Sequence, residues 1–159
     1  MSGDERGVPG TADAPRAIGR DQWGECVGLA VGEVTPERVR ARIEIGPQHH
    51  QPYGIVHGGV YCSIVEGVAS IGAGTAAMKR GQPGVVGVAN ATDFLRSHSA
   101  EQGALLAEGV PLHTGRSLAL WQVEIRRESD AKLVARGQVR FHVLAQLPAE
   151  RRAAQGGER

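Results

Sequence analysis

Aromatic residues are scarce: Phe, Tyr and Trp together make up 4% of the 159 residues. With no basic helix beside them, the chain lacks the stacking platform and the cationic surface that nucleic-acid binding uses. Excess charge of either sign is missing too. Lys and Arg total 18 against 17 Asp and Glu, a formal net charge of +1, which excludes bulk attraction to a polyanion or an anionic membrane and leaves only local patches. Cysteine is limited to Cys26 and Cys62, with no CxxC pair; that excludes a disulfide framework, leaves one bridge at most, and suits the reduced thiols of a cytoplasmic protein. No apolar signal region follows Met1, and no uninterrupted apolar run approaches the ~18 residues of a membrane span. A soluble, cytoplasmic protein with no membrane partner is the expectation.

What is present fits one domain with one core. Residues 1–22 are Gly, Pro, Ala, Asp and Arg with few large aliphatics, and read as a disordered N-terminal tail. Residues 23–147 form the domain, and residues 148–159 a second charged, disordered tail. Cys26 to Val34 reads as a strand, followed by a turn at Pro36 to Arg38. Val39, Ala41, Ile43 and Ile45 then alternate with charged residues until Gly46 and Pro47 stop them, the period of a half-buried strand. From Gly58 to about Arg80 there is no proline, and Val60, Ile64, Val68, Ile71 and Thr75 recur at helical spacing. Gly67, Gly72 and Gly74 weaken that helix by about 1 kcal/mol each, which close packing against a sheet or a twin helix would explain. Four further strands follow, Val85 to Arg96, Ala104 to Val110, Ser117 to Arg127 and Lys132 to Leu144. Two strands, one long helix and four strands make an α+β protein, an antiparallel sheet of about six strands wrapped around one central helix.

The stretch from Gln51 to Ser70 holds the chemistry. A polar loop with His49, His50, Gln51, Pro52 and Tyr53 runs into His57, Gly58 and Gly59 at the helix start. Free N–H groups and the positive end of the helix dipole gather there, a setting for an anion or a carbonyl oxygen. Glu66 is the only carboxylate between His57 and Lys79, amid Ile64, Val65, Val68 and Ala69, and an acid in apolar company needs a reason. A lone helical acid more often pairs with an arginine or caps a backbone; here Gln51, His57 and the two glycines keep it company.

That constellation, with the element order, resembles the hotdog fold of the PaaI-like acyl-CoA thioesterases, and is most similar to the Arthrobacter-type 4-hydroxybenzoyl-CoA thioesterase branch. The resemblance implies that Glu66 is the catalytic carboxylate and that the Gly58 amide, with Gln51 and His57 close by, polarises the thioester carbonyl. It also implies that Ser70 stands where the branch has a water-holding threonine. The loop His113, Thr114, Gly115, Arg116 and Ser117 looks like the family's coenzyme A phosphate loop, and Arg96 stands where a basic residue contacts the nucleotide. The substrate would be an acyl-CoA with an aromatic or short acyl group, in a pocket walled by Tyr53, Tyr61, Val65 and a partner chain. No cofactor is implied beyond the coenzyme A of the substrate, and His49, His50 and His57 have no second cluster at metal-ligand spacing.

Geometry adds a demand of its own. Gly58 and Glu66 are eight residues apart, so on one helix they stand about 12 Å apart along the axis, too far to serve one carbonyl. Two helices packed antiparallel across a two-fold axis would bring Gly58 of one chain to Glu66 of the other. A homodimer with composite sites is therefore expected. Apolar residues on both faces of the 117–127 strand, Leu118 and Leu120 included, point to a dimer of dimers. Glu66 could deprotonate a water held by Ser70 one turn on, or attack directly to give an anhydride. A non-catalytic acyl-CoA binding module and an enoyl-CoA hydratase or dehydratase are the alternatives.

Overall fold

The computed structural model describes residues 21–146; the two expected tails lie outside them, apart from Asp21 and Gln22. The described chain opens on a helix. Asp21 accepts a hydrogen bond from the Gly24 amide at 3.0 Å, and Gly28 at φ 81° ends α1 (Gln22–Val27) in the left-handed conformation. The strand expected from Cys26 is thus corrected: β1 spans Leu29–Val34. A cap at one end and a positive-φ glycine at the other give six residues a helical turn that hydrophobic periodicity cannot register.

Thr35 folds the chain back by accepting from the Arg38 amide at 2.9 Å, and β2 (Val39–Ile43) returns antiparallel to β1 with Val39, Ala41 and Ile43 buried. Then come α2 (Gly58–Lys79), β3 (Val85–Phe94), β4 (Leu105–Thr114), β5 (Leu118–Arg127) and β6 (Leu133–Val143). They form one antiparallel six-stranded sheet in the order β1-β2-β4-β5-β6-β3, with β1 and β3 at its edges. β4 runs past the expected end at Val110 because a bulge between Pro111 and His113 takes up the proline, which cannot donate to a regular ladder.

The sheet wraps α2, which touches all six strands. Ala119, Trp121, Val123 and Ile125 of β5 and Val139, Phe141 and Val143 of β6 face it, as their alternation demands. α2 is long and apolar enough by composition to cross a membrane, yet more than half of its most apolar window is buried inside the fold. Glycine notches let it approach. A Cβ on Gly109 would stand 2.8 Å from Val68, and one on Gly137 2.8 Å from Val65. The small residues of the helix and the sheet therefore serve close packing.

Candidate active site

The loop before α2 is pinned by its histidines. The Gly46 amide donates to His49 Nδ1 at 2.9 Å, which leaves His49 Nε2–H to donate to the Val27 carbonyl at 2.9 Å. His50 Nε2 accepts from the Ala100 amide at 3.0 Å. His49 is buried although its loop is polar, because the ring ties two backbone segments together. The Gln51 side chain turns into its own loop and accepts from the Tyr53 amide at 2.5 Å, while Tyr53 itself is 90% exposed.

His57 is the N-cap of α2, its Nδ1 accepting from the Gly59 amide at 2.8 Å. The Val60 amide reaches back to the His57 carbonyl at 2.9 Å. With those two satisfied, the Gly58 amide is left without an acceptor among the described residues, an oriented donor at the positive end of a 22-residue helix. The Phe94 ring covers the α-carbon of Gly58, so close that a Cβ there would come within 2.6 Å of it.

Two turns on, Glu66 is half-buried at the flank of α2. Ile64, Val65, Val68 and Ala69 bury themselves toward the sheet, so Glu66 is not enclosed by them as its sequence setting implied: at 100° per residue, neighbours in sequence occupy different faces. Its company comes from β3. Asn90 Nδ2 donates to Glu66 Oε2 at 3.0 Å and to the Cys62 carbonyl at 3.2 Å, while Thr92 Oγ1 donates to Asn90 Oδ1 at 2.7 Å. Ser70 Oγ lies 3.4 Å from Glu66 Oε1, as the four-residue spacing requires. Asn90 had no signal of its own in the sequence, where it is one polar residue in a strand pattern.

The remaining candidate residues scatter. Val65 and Tyr61 are core residues; the Tyr61 ring meets that of Phe94 at 5.7 Å between centroids, and its hydroxyl has no partner among the described residues. Burial pushes that phenol up to about 12. Tyr61 and Val65 thus lie in the core while Tyr53 stands in solvent. His113 and Thr114 end β4, and Gly115, Arg116 and Ser117 turn into β5. That turn is held from the end of α2, Arg80 Nη2 donating to the Gly115 carbonyl at 3.2 Å and Gln82 Nε2 to the Arg116 carbonyl at 2.8 Å. The side chains of His113, Thr114, Arg116 and Ser117 stay exposed. Arg96 donates to the Leu133 carbonyl at 2.6 Å, at the other end of the sheet. Register puts the turn beside Gly87 through Ala119 and Phe141, nine residues of extended chain from Arg96, or about 30 Å. One chain does not bring Arg96 and the 113–117 turn to the same ligand.

One protomer therefore carries a donor at Gly58 and a carboxylate group at Glu66, both beside the edge strand β3. The sequence profile of the thioesterase superfamily matches residues 53–134, a span holding both. A Mycobacterium tuberculosis protein with a provisional esterase name is 43% identical over 123 residues, 77% of this chain and 86% of its own. Its solved structure superposes with a TM-score of 0.73 over 79% of this chain and 98% of that one, at 39% identity. A 1,4-dihydroxy-2-naphthoyl-CoA hydrolase of Listeria monocytogenes is 31% identical over 69% of this chain and 85% of its own. The phenylacetic acid degradation protein PaaI of Thermus thermophilus, in a mutant structure, aligns with a TM-score of 0.67 at 26% identity, over 78% of this chain and 100% of that one. The chain belongs to the thioesterase superfamily, and its fold is the hotdog. Its class of chemistry is thioester hydrolysis.

Proposed function

We propose that this protein hydrolyses an acyl-CoA thioester to the free acid and coenzyme A, preferring an aromatic or short acyl group. The observation that carries the reading is the pairing, on one helix, of a Gly58 amide unpartnered among the described residues and the Asn90-bound Glu66 carboxylate. Charge that develops on the thioester oxygen is stabilised by a fixed amide donor. Glu66 takes the proton of a water that Ser70 helps to hold, or attacks the carbonyl itself. Gln51 and His57 shape the loop around the donor. The aromatic preference, and kinship with the 4-hydroxybenzoyl-CoA branch, draw support from the Listeria relative, whose named substrate carries a naphthoyl group.

The site is composite. Gly58 and Glu66 of one chain stand about 12 Å apart along the helix axis, and the edge strand β3, which exposes Val86, Val88 and Phe94, leaves its outer side free for a second copy. Tyr53, the 113–117 turn and Arg96 would then meet the substrate from different chains, with no cofactor besides the coenzyme A it carries. Leu106, Leu112 and Leu118 remain exposed elsewhere, which supports a dimer of dimers; a cytoplasmic location is part of the same proposal. Thiol release across an acyl-CoA panel tests the reading. Glu66→Ala is expected to lower kcat by about 10²- to 10⁴-fold with substrate binding retained. Wild-type turnover in that variant, or acyl-CoA binding without thiol release by the wild type, overturns it.

A further inference from the structure

We propose that the bulge in β3 builds a seat for the Glu66 carboxylate, with Gly87 and Asn90 as its positioning residues; the proposal rests on Glu66 as the reacting carboxylate. In a regular strand, positions three apart point to opposite faces. Here Gly87 pairs with Phe141 and Ala89 with the next β6 residue back, Arg140, leaving Val88 as an extra residue. That bulge reverses the phase of the strand, so Gly87 and Asn90 both face α2.

Each does a different job. At Gly87 the absence of a side chain makes room: a Cβ would lie 2.6 Å from Glu66 Oε1. Asn90 supplies a donor to the other oxygen, Oε2, at 3.0 Å. Its own amide is oriented on both sides, by Thr92 Oγ1 donating to Oδ1 at 2.7 Å and by the Cys62 carbonyl accepting from Nδ2 at 3.2 Å. The last torsion of a glutamate is broad and roughly two-fold, so the helix alone does not set where the oxygens point. The strand sets it, with Ser70 Oγ closing the Oε1 side at 3.4 Å.

Gly87→Ala separates positioning from folding. The added methyl crowds the far end of the flexible Glu66 side chain and stands at an ordinary 3.9 Å from Phe141, so the carboxylate moves and the backbone stays. Expected are a melting temperature within about 2 °C of wild type and a kcat lower by about 10- to 100-fold, with KM changed by less than about threefold. Asn90→Ala should show the same split. Asn90→Asp keeps the shape but replaces the donor with a like charge, and should lose more activity than Asn90→Ala. If Glu66→Ala is inactive while Gly87→Ala and Asn90→Ala keep wild-type kcat, the seat is overturned and the reading of Glu66 stands. If Glu66→Ala retains wild-type turnover, the functional reading falls and takes the seat with it. Should Asn90→Ala fail to fold, Gly87→Ala alone decides.

Discussion

The six-membered ring of Trp121 occupies the space that a Cβ on Gly72 would need. Trp121 is fully buried on the inner face of β5, and Gly72 lies in the second half of α2, so this contact sets how closely helix and sheet approach. Helix propensity favours alanine over glycine by about 1 kcal/mol. Overpacking a tight core typically costs about 1–3 kcal/mol, and here the obstruction is a fully buried ring. Gly72→Ala is therefore expected to destabilise the fold by about 1–2 kcal/mol net, read as a lower urea midpoint at unchanged m-value. An unchanged or raised midpoint would contradict the packing described.

His98 gives stability an acid-side limit. The ring is fully buried, Nε2–H donating to the Gly103 carbonyl at 2.9 Å and Nδ1 accepting from Arg127 Nε at 3.4 Å. Both nitrogens are used by the neutral ring. Burial holds its pKa below the ordinary 6.5; the Gly103 carbonyl opposes that shift, Arg127 and His50 reinforce it, and Asp130 opposes it. The unfolded chain thus binds the proton more readily, so the contribution is complete above about pH 6.5 and declines as pH falls below it. Glu33, Glu128 and Asp130 also have lowered pKa values, but their contributions are lost only below about pH 4.5. Between pH 7.5 and 5.5 the urea midpoint of the wild type should fall, and that of His98→Gln should fall less. Equal slopes would remove His98 as the cause.

What the sequence makes legible follows from which signals are local. α2 is readable because a proline-free stretch with apolar residues at three- and four-residue spacing has no competing period, and β6 because its buried positions alternate with Arg136, Gln138, Arg140 and His142; β5 is readable from its buried face, Leu118 and Leu120 making the other face apolar as well. α1 escapes because six residues carry no period, and its ends are set by the Asp21 cap and the positive-φ Gly28. At the site, the Glu66 to Ser70 contact is legible from spacing, since helix geometry dictates it. The contact from Asn90 is not. It depends on one extra residue, Val88, shifting the phase of β3; Gly87, a residue type that often marks a bulge inside a strand, is the one sign in Val85 to Phe94 of where the ladder slips, and it does not say which side chains the slip brings together. The Gln51 side chain is likewise placed by something spacing does not show: a local turn takes its oxygen for the Tyr53 amide.

The Gly58 amide offers the sharpest test of a site shared between chains. Proline is well tolerated at the first position of a helix, and it deletes only the N–H that the helix does not use. Any side chain at position 58 also meets the Phe94 ring. Gly58→Ala keeps the amide and pushes the ring equally, so it serves as the control. Gly58→Pro is expected to lose about 100-fold or more in kcat, the usual cost of one oxyanion donor, while Gly58→Ala keeps most of it. Co-expression of Gly58→Pro chains with Glu66→Ala chains, each carrying a different tag, should yield heterodimers with one intact composite site. Such a preparation, purified through both tags, should recover close to half of the wild-type dimer's turnover from two nearly inactive parents. Recovery absent from verified heterodimers would mean that donor and carboxylate act within one chain, against the 12 Å that their helix places between them, at about 1.5 Å per residue.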